Sequence, residues 1–137
     1  MLPLQAGATP ERRTILLVED EVLIRLMLAE ELRSAGFHVL EASNADEAWT
    51  ILASSLPVHL LLTDIHMPGR MDGAALAGRA RAQYPQLKLV ITSSLPPRHD
   101  VLRSAASFFA KPYDLHALVR AIEELLPEPA DGDPREP

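Results

Sequence analysis

Short apolar runs and amphipathic segments alternate along most of the chain. The apolar runs are rich in Leu, Ile, Val and Phe, and they stop at polar residues, Gly or Pro. Runs that are apolar at successive positions are typical of strands buried on both faces of a parallel sheet. The predicted strands are Thr14–Val18, Phe37–Leu40, Val58–Asp64, Leu87–Ile91 and Ser107–Ala110.

Helix signals separate the first three of these strands. The first helix is expected to run to Ala35, with Gly36 as its stop. Ser43 and Asp46 resemble a capping box at the start of the second helix, and Pro57 is expected to end that helix.

The second half of the chain continues the alternation. Asp72 is placed as the N-cap of a third helix that runs to about Gln83. Pro96-Pro97 leaves room for only a short fourth helix over His99–Arg103. Asp114 is placed as the N-cap of the last helix, which has a clear apolar face. Five alternations of strand and helix predict an α/β fold, with a doubly wound parallel sheet and helices on both faces.

The length of 137 residues fits one domain. Residues 1–13 contain Pro and Gly without apolar periodicity and are expected to form a flexible tail. The folded domain is expected over residues 14–126. The acidic, Pro-rich segment 127–137 is expected to be disordered.

Charge and composition narrow the function classes. The net charge is −6 and no basic stripe is visible, which argues against direct binding of nucleic acid. The absence of cysteine excludes disulfides and thiolate chemistry. No apolar stretch approaches the ~20 residues of a membrane span. Since the basic residues of the N-terminus follow its apolar ones, the reverse of a signal peptide, we expect a cytoplasmic protein.

Polar residues gather where the predicted strands end, at the edge of the sheet where open α/β folds bind ligands. These residues are Glu19, Asp20, Asp64, Thr92, Ser93 and Lys111. Three close carboxylates repel one another unless a cation is present, and oxygen ligands suit a hard ion such as Mg²⁺. A carboxylate beside Mg²⁺ can accept a phosphoryl group, and a lysine and a hydroxyl can bind phosphoryl oxygens. The pattern predicts phosphoryl-transfer chemistry.

Four motifs follow one another at the strand ends: LLVEDE (Leu16–Glu21), TDIHMPGRMDG (Thr63–Gly73), ITSS (Ile91–Ser94) and FFAKPYD (Phe108–Asp114). With these motifs the sequence resembles the receiver domain of two-component response regulators, from about residue 14 to residue 126. The resemblance implies a five-stranded flavodoxin-like sheet in the order 2-1-3-4-5. It also implies Mg²⁺ as the cofactor.

The resemblance assigns roles to individual residues. Asp64 corresponds to the phosphoacceptor. Asp20 would ligate Mg²⁺ directly and Glu19 through water, and the backbone carbonyl of His66 would be a further ligand beside Asp64. Lys111 would contact the phosphoryl group, and the Lys111–Pro112 peptide bond would be cis.

Two further positions belong to the switch that the resemblance implies. Ser93, with the small Ser94 after it, fits the family's signalling hydroxyl, and Thr92 is the alternative. Phe108, three residues before Lys111, matches the switch aromatic position. The segment from Ser93 to Lys111 is shorter than is usual in the family.

The predicted function is that of a single-domain response regulator receiver. A sensor histidine kinase or a histidine phosphotransfer protein would phosphorylate Asp64, and the signal would leave by contact with another protein. Such a protein catalyses only its own phosphorylation and dephosphorylation and is not an enzyme acting on a metabolite. One alternative is a receiver-like docking module that works without phosphorylation. A second is a phosphatase or mutase with an aspartyl nucleophile, which His66 disfavours because these enzymes usually place a second acid at that position.

Overall fold

The computed structural model describes residues 13–67, 69, 71–94 and 105–127. Its strands are β1 (Thr14–Val18), β2 (His38–Ala42), β3 (Leu60–Asp64), β4 (Lys88–Ser93) and β5 (Ser107–Ala110). Its helices are α1 (Val22–Ser34), α2 (Ala45–Leu52), α3 (Gly73–Gln83) and α4 (Leu115–Leu125). No helix in these ranges is long and apolar enough to cross a bilayer.

The five strands form one parallel sheet in the order β2-β1-β3-β4-β5. The register aligns Val18 of β1 with Thr63 of β3, and Asp64 of β3 with Thr92 of β4. The carboxyl ends of the central strands therefore lie side by side, and the predicted fold class and strand order are confirmed.

Helices cover both faces of this sheet, which explains why the strands are apolar at successive positions. On one face Leu16 and Leu61 pack with buried residues of α2 and α3, such as Ala48 and Leu76. On the other face the alternate strand residues pack with α1 and α4. Both faces of β1 and β3 are fully buried. This packing holds the two strands that carry the acidic residues in a fixed register.

Several boundaries of strands and helices agree with those predicted from the sequence. The bounds of β1 and β5 are those predicted, and Asp72 and Asp114 cap α3 and α4 through side-chain bonds to backbone N–H groups. The expected short helix over residues 99–103 lies outside the described residues. So do most of both predicted tails.

The predicted capping box of the second helix is displaced by one residue. Asn44 is the N-cap, and its side chain accepts the N–H of Glu47 at 2.8 Å. The Glu47 carboxylate accepts both the N–H and the hydroxyl of Ser43, at 2.8 and 2.9 Å. Asp46 takes no part in this cap, because the glutamate one residue later reaches back to Ser43.

One helix and three strands also have boundaries that differ from prediction. Helix α2 ends at Leu52, before Pro57, where the hydroxyl of Ser54 donates to the carbonyl of Ile51. Strand β2 covers His38–Ala42 instead of Phe37–Leu40, because it stays paired with the whole of β1. Strand β3 begins at Leu60, two residues later than predicted, and β4 begins at Lys88, one residue later. Strand β4 also continues to Ser93 instead of ending at Ile91, because Thr92 and Ser93 pair with β5.

Candidate functional site

The acidic residues meet where β1 and β3 end. Glu19 follows β1 directly, and its N–H donates to the carbonyl of Ala42 at 3.1 Å, which extends the pairing with β2. Asp64 is the last residue of β3. Glu19 is 2% exposed and Asp64 is 7% exposed. One carboxylate oxygen from each of Glu19, Asp20 and Asp64 lies within 4.8 Å of the others.

Lys111 reaches this cluster from the residue after β5. Its backbone N–H donates to the carbonyl of Ser93 at 2.8 Å. Its Nζ lies 2.9 Å from Oδ2 of Asp64 and 3.5 Å from Oε1 of Glu19. The Lys111–Pro112 peptide bond is cis, as the resemblance implies. Strand ends β1, β3 and β5 thus bring together the acids and the lysine that the sequence singled out.

Burial and charge perturb the titration of this site. Burial raises the pKa of the Glu19 carboxyl, and the neighbouring carboxylates of Asp64 and Asp20 add to the rise. Burial by itself would lower the pKa of Lys111, but its hydrogen bond and attraction to Asp64, together with Glu19, outweigh burial and raise that pKa. The lysine therefore stays charged, and one positive charge faces three carboxyl groups.

The donor set fits a small hard cation. All three carboxyl groups offer oxygen, and the raised pKa of Glu19 shows that the buried site disfavours a further negative charge without a counter-ion. His66 lies next to the cluster, and its N–H donates to Oδ1 of Asp64 at 3.4 Å, while its side chain is exposed. The acidic cluster is compatible with Mg²⁺ and with phosphorylation of an aspartate.

The two candidate hydroxyl residues are both buried at the end of β4. Thr92 pairs with Asp64 across the sheet, and its carbonyl accepts the N–H of Ile65 at 3.0 Å. Ser93 is the last residue of β4, is fully buried, and is tied to Lys111 through its own carbonyl. Phe108 is half-buried in β5 and packs against the α2–α3 side of the core.

Gly73 belongs to this site, although the sequence marked it only as the residue after a cap. Its N–H donates to the carbonyl of Ile65 at 2.8 Å. A Cβ atom at Gly73 would lie 1.8 Å from the backbone oxygen of Asp64 and 2.8 Å from Cα of Ile65. Only a glycine lets α3 begin this close to the end of β3. The available signal was the glycine in the first helical position after Asp72.

Comparisons with known proteins agree with this geometry. The family model for the response regulator receiver domain matches residues 15–123. The response regulator receiver protein CpdR of Brucella abortus is 40% identical over 119 residues, which cover 83% of this chain and 97% of CpdR. The DNA-binding transcriptional regulator NtrC of Salmonella typhimurium is 32% identical over 124 residues, but these cover only 25% of NtrC.

A solved structure shows the same fold. The response regulator protein TrrA of Thermotoga maritima, in complex with Mg²⁺ and BeF, has a TM-score of 0.74 and 27% identity. The match covers 83% of this chain and 99% of TrrA. Because the family match spans most of the sequence and the strand order agrees, the chain belongs to the receiver domain family of two-component response regulators.

Proposed function

We propose that this chain is a single-domain receiver that accepts a phosphoryl group on Asp64 from a phosphohistidine. The donor would be a sensor histidine kinase or a histidine phosphotransfer protein. The observation that carries this proposal is the pairing of the Asp64 carboxylate with the Lys111 ammonium at 2.9 Å, beside Glu19 and Asp20. A nucleophilic carboxylate and a fixed positive charge are the two groups that phosphoryl transfer needs at one place.

The transfer step uses the residues at the strand ends. A carboxylate oxygen of Asp64 attacks phosphorus, an O–P bond forms, and the N–P bond to the donor imidazole breaks. The imidazole nitrogen keeps the electron pair of that bond. Lys111 exchanges its bond to Asp64 for one to a phosphoryl oxygen and so neutralises charge on the transferred group. Mg²⁺ held by Glu19, Asp20, Asp64 and the carbonyl of His66 supplies further charge neutralisation when it is bound.

The signal would leave through a change in the hydroxyl and aromatic positions. Ser93, or Thr92 as the alternative, would donate its hydroxyl to the phosphoryl group, and Lys111 would move with it. Ser93 and Lys111 are already joined by a backbone hydrogen bond, so a shift at one displaces the other. Phe108 is only half-buried and can repack. Such a two-state element is biased by a local change of charge and read by a downstream protein.

This chain has a surface beside the site on which the phosphohistidine donor could dock. Val22, Leu23, Leu26 and Met27 of α1 are each at least half exposed, and Val22 begins the helix that follows the acidic residues. A groove between α1 and the segment after β5 is mainly apolar and is lined in part by Lys111. A protein that brings a phosphohistidine to Asp64 would cover these apolar side chains and bury them on binding.

The proposed organisation is a receiver over residues 14–126 with a tail at each end. The coverage of 97% of CpdR supports the single-domain form. We place the protein in the cytoplasm, where kinases and phosphotransfer proteins of this class would meet it. In this role the chain turns over only its own acyl phosphate and is not an enzyme acting on a metabolite.

Binding of beryllofluoride, which mimics an acyl phosphate, tests the proposed site without a partner. In nuclear magnetic resonance spectra we expect beryllofluoride with Mg²⁺ to shift the backbone amides of Asp64, Ser93 and Lys111. The Asp64→Asn variant should show no such shifts. If the wild-type spectrum does not change while Mg²⁺ binds, the acyl-phosphate role is wrong. If Mg²⁺ does not bind either, a docking module that works without phosphorylation becomes the better account.

A further inference from the structure

Arg25 connects helix α1 to the loop that carries the acidic pair. It lies in the first turns of α1, and its side chain is only 16% exposed. Its Nη1 donates to the backbone carbonyl of Glu19 at 2.8 Å. Its Nε donates to Oε1 of Glu41 on β2 at 3.2 Å. One guanidinium thus joins α1, β2 and the end of β1.

Glu41 holds this guanidinium in a defined orientation. Its second oxygen, Oε2, accepts a hydrogen bond from Nη1 of Arg33 at 3.1 Å. Arg33 also donates to the carbonyl of Val39 at 2.9 Å. Because both oxygens of Glu41 have partners fixed on secondary structure, Arg25 has little freedom to turn away from Glu19.

The loop between β1 and α1 is held by a small number of hydrogen bonds, one of which joins the N–H of Glu21 to Oε2 of Glu19 at 3.2 Å. The N-cap of α1 is Glu21, whose side chain makes no capping bond. The N–H of Glu19 is held by Ala42, and the carbonyl of Glu19 is held by Arg25. These two bonds fix both peptide groups of Glu19, including the one that leads into Asp20. Arg25 therefore helps to set the direction in which Asp20 leaves the strand end, because it holds the peptide group that joins Glu19 to Asp20.

We propose that Arg25, oriented by Glu41, is a positioning residue that presets Glu19 and Asp20 to bind a divalent cation together with Asp64. This inference rests on the proposed function, because it assumes that the acidic cluster holds Mg²⁺. Arg25 itself touches neither the cation nor the phosphoryl group. It acts through the main chain of Glu19, as groups behind metal ligands commonly do, and removing such groups costs about 10-fold to 100-fold in metal affinity.

The direction in which Mg²⁺ affinity changes when Arg25 is removed distinguishes a positioning role from a simple charge effect. Arg25 carries a positive charge near a cation site, so its removal would tighten Mg²⁺ binding if charge alone mattered. Loss of a positioning contact weakens binding. Arg120→Met is the control for the removal of a positive charge, because Arg120 is exposed on α4 and takes no part in the contacts among Arg25, Glu41 and Glu19.

Titration calorimetry of the full chain with MgCl₂ makes the comparison. We expect Arg25→Met to raise the Kd for Mg²⁺ by about 10-fold, and Arg120→Met to change it by less than about 2-fold. Thermal melts in EDTA show whether each variant is folded, and a purely structural role would lower the melting temperature without changing Kd. The inference is wrong if Arg25→Met binds Mg²⁺ as tightly as wild type or more tightly.

Two further outcomes have defined meanings. If Arg25→Met does not fold, Arg25→Lys takes its place. It keeps the positive charge but lacks the guanidinium fork that bonds Glu19 and Glu41 together, and we expect Kd to rise by about 3-fold. An unchanged Kd in that variant overturns the inference. If wild type itself does not bind Mg²⁺, the proposed Mg²⁺-dependent function is wrong. That result differs from one in which wild type binds Mg²⁺ and Arg25→Met binds it equally well, which contradicts only the role of Arg25.

Discussion

The close approach of α3 to the phosphoacceptor makes Gly73 a sharp test of the site geometry. A methyl group at residue 73 would place Cβ 1.8 Å from the backbone oxygen of Asp64, far inside the ordinary contact range of 3.4–4 Å. The obstructing atoms are main-chain atoms of β3 and of Ile65, so no side-chain rotation can relieve the overlap. Either α3 must move outward or the end of β3 must shift.

Gly78 provides the matched control on the same helix. A Cβ atom there would meet nothing within 4 Å, and Gly78 is exposed. Replacing a glycine within a helix by alanine stabilises the helix by about 0.5–1 kcal/mol. The two glycines therefore differ in the space that each Cβ would find, and the substitution itself is the same.

We expect Gly73→Ala to lower the free energy of unfolding by about 2–3 kcal/mol, the upper part of the range for overpacked positions. Gly78→Ala should raise it by about 0.5–1 kcal/mol. Urea unfolding followed by circular dichroism measures both changes. Because Gly73→Ala displaces Asp64, we also expect slower phosphorylation by acetyl phosphate in that variant only. If Gly73→Ala is as stable and as reactive as Gly78→Ala, the described packing of α3 on the site is wrong.

Three other predictions concern the site itself. Replacing Lys111 by Met should slow phosphorylation by acetyl phosphate about 100-fold, because a donor to the transferred group is lost, yet calorimetry should show Mg²⁺ bound about 5-fold more tightly. Since the folded-state pKa of Glu19 is raised above its usual value of 4.5, the contribution of Glu19 to the stability of the metal-free protein should be fully present below pH 4.5 and be lost as the pH rises through the raised pKa. Urea unfolding in EDTA at several pH values should show this loss in wild type, and Glu19→Gln should lack it. Replacing Ser93 by Ala should weaken beryllofluoride binding about 10-fold and abolish the shift of the Phe108 resonances that beryllofluoride causes. Thr92→Val should change neither the binding nor the shift. The reverse result would assign the switch hydroxyl to Thr92.

Much of the fold could be predicted from local sequence patterns. The bounds of β1 and β5 could be predicted because buried strands are apolar at every position and stop at polar residues. Asp72 and Asp114 could be predicted as caps because the partner of a capping side chain lies two or three residues away. The cap of α2 could not, since Ser43 and Asn44 are both good caps and the choice depends on where Glu47 reaches.

Some residues of the candidate site could be predicted from the sequence and others could not. The strand ends could be predicted to converge because every parallel strand delivers its carboxyl end to one edge of the sheet. Gly73 and Arg25 were missed because their roles depend on contacts between separate elements. Arg25 meets Glu41 across 16 positions of sequence, and Gly73 matters only because α3 folds back onto the end of β3. The contact of Arg25 leaves no periodic or local signal in the chain, and the signal for Gly73 is only the glycine that follows the Asp72 cap.

The central claim is that Asp64 accepts the phosphoryl group, and the intact mass of the protein after incubation with acetyl phosphate and Mg²⁺ tests it most directly. Wild type and Asp64→Asn would be measured side by side, followed by peptide mapping of any adduct. We expect one phosphoryl group on wild type, mapped to the peptide that contains Asp64, and none on the variant. An adduct of equal size on Asp64→Asn, or one that maps to another residue of wild type, would contradict the account.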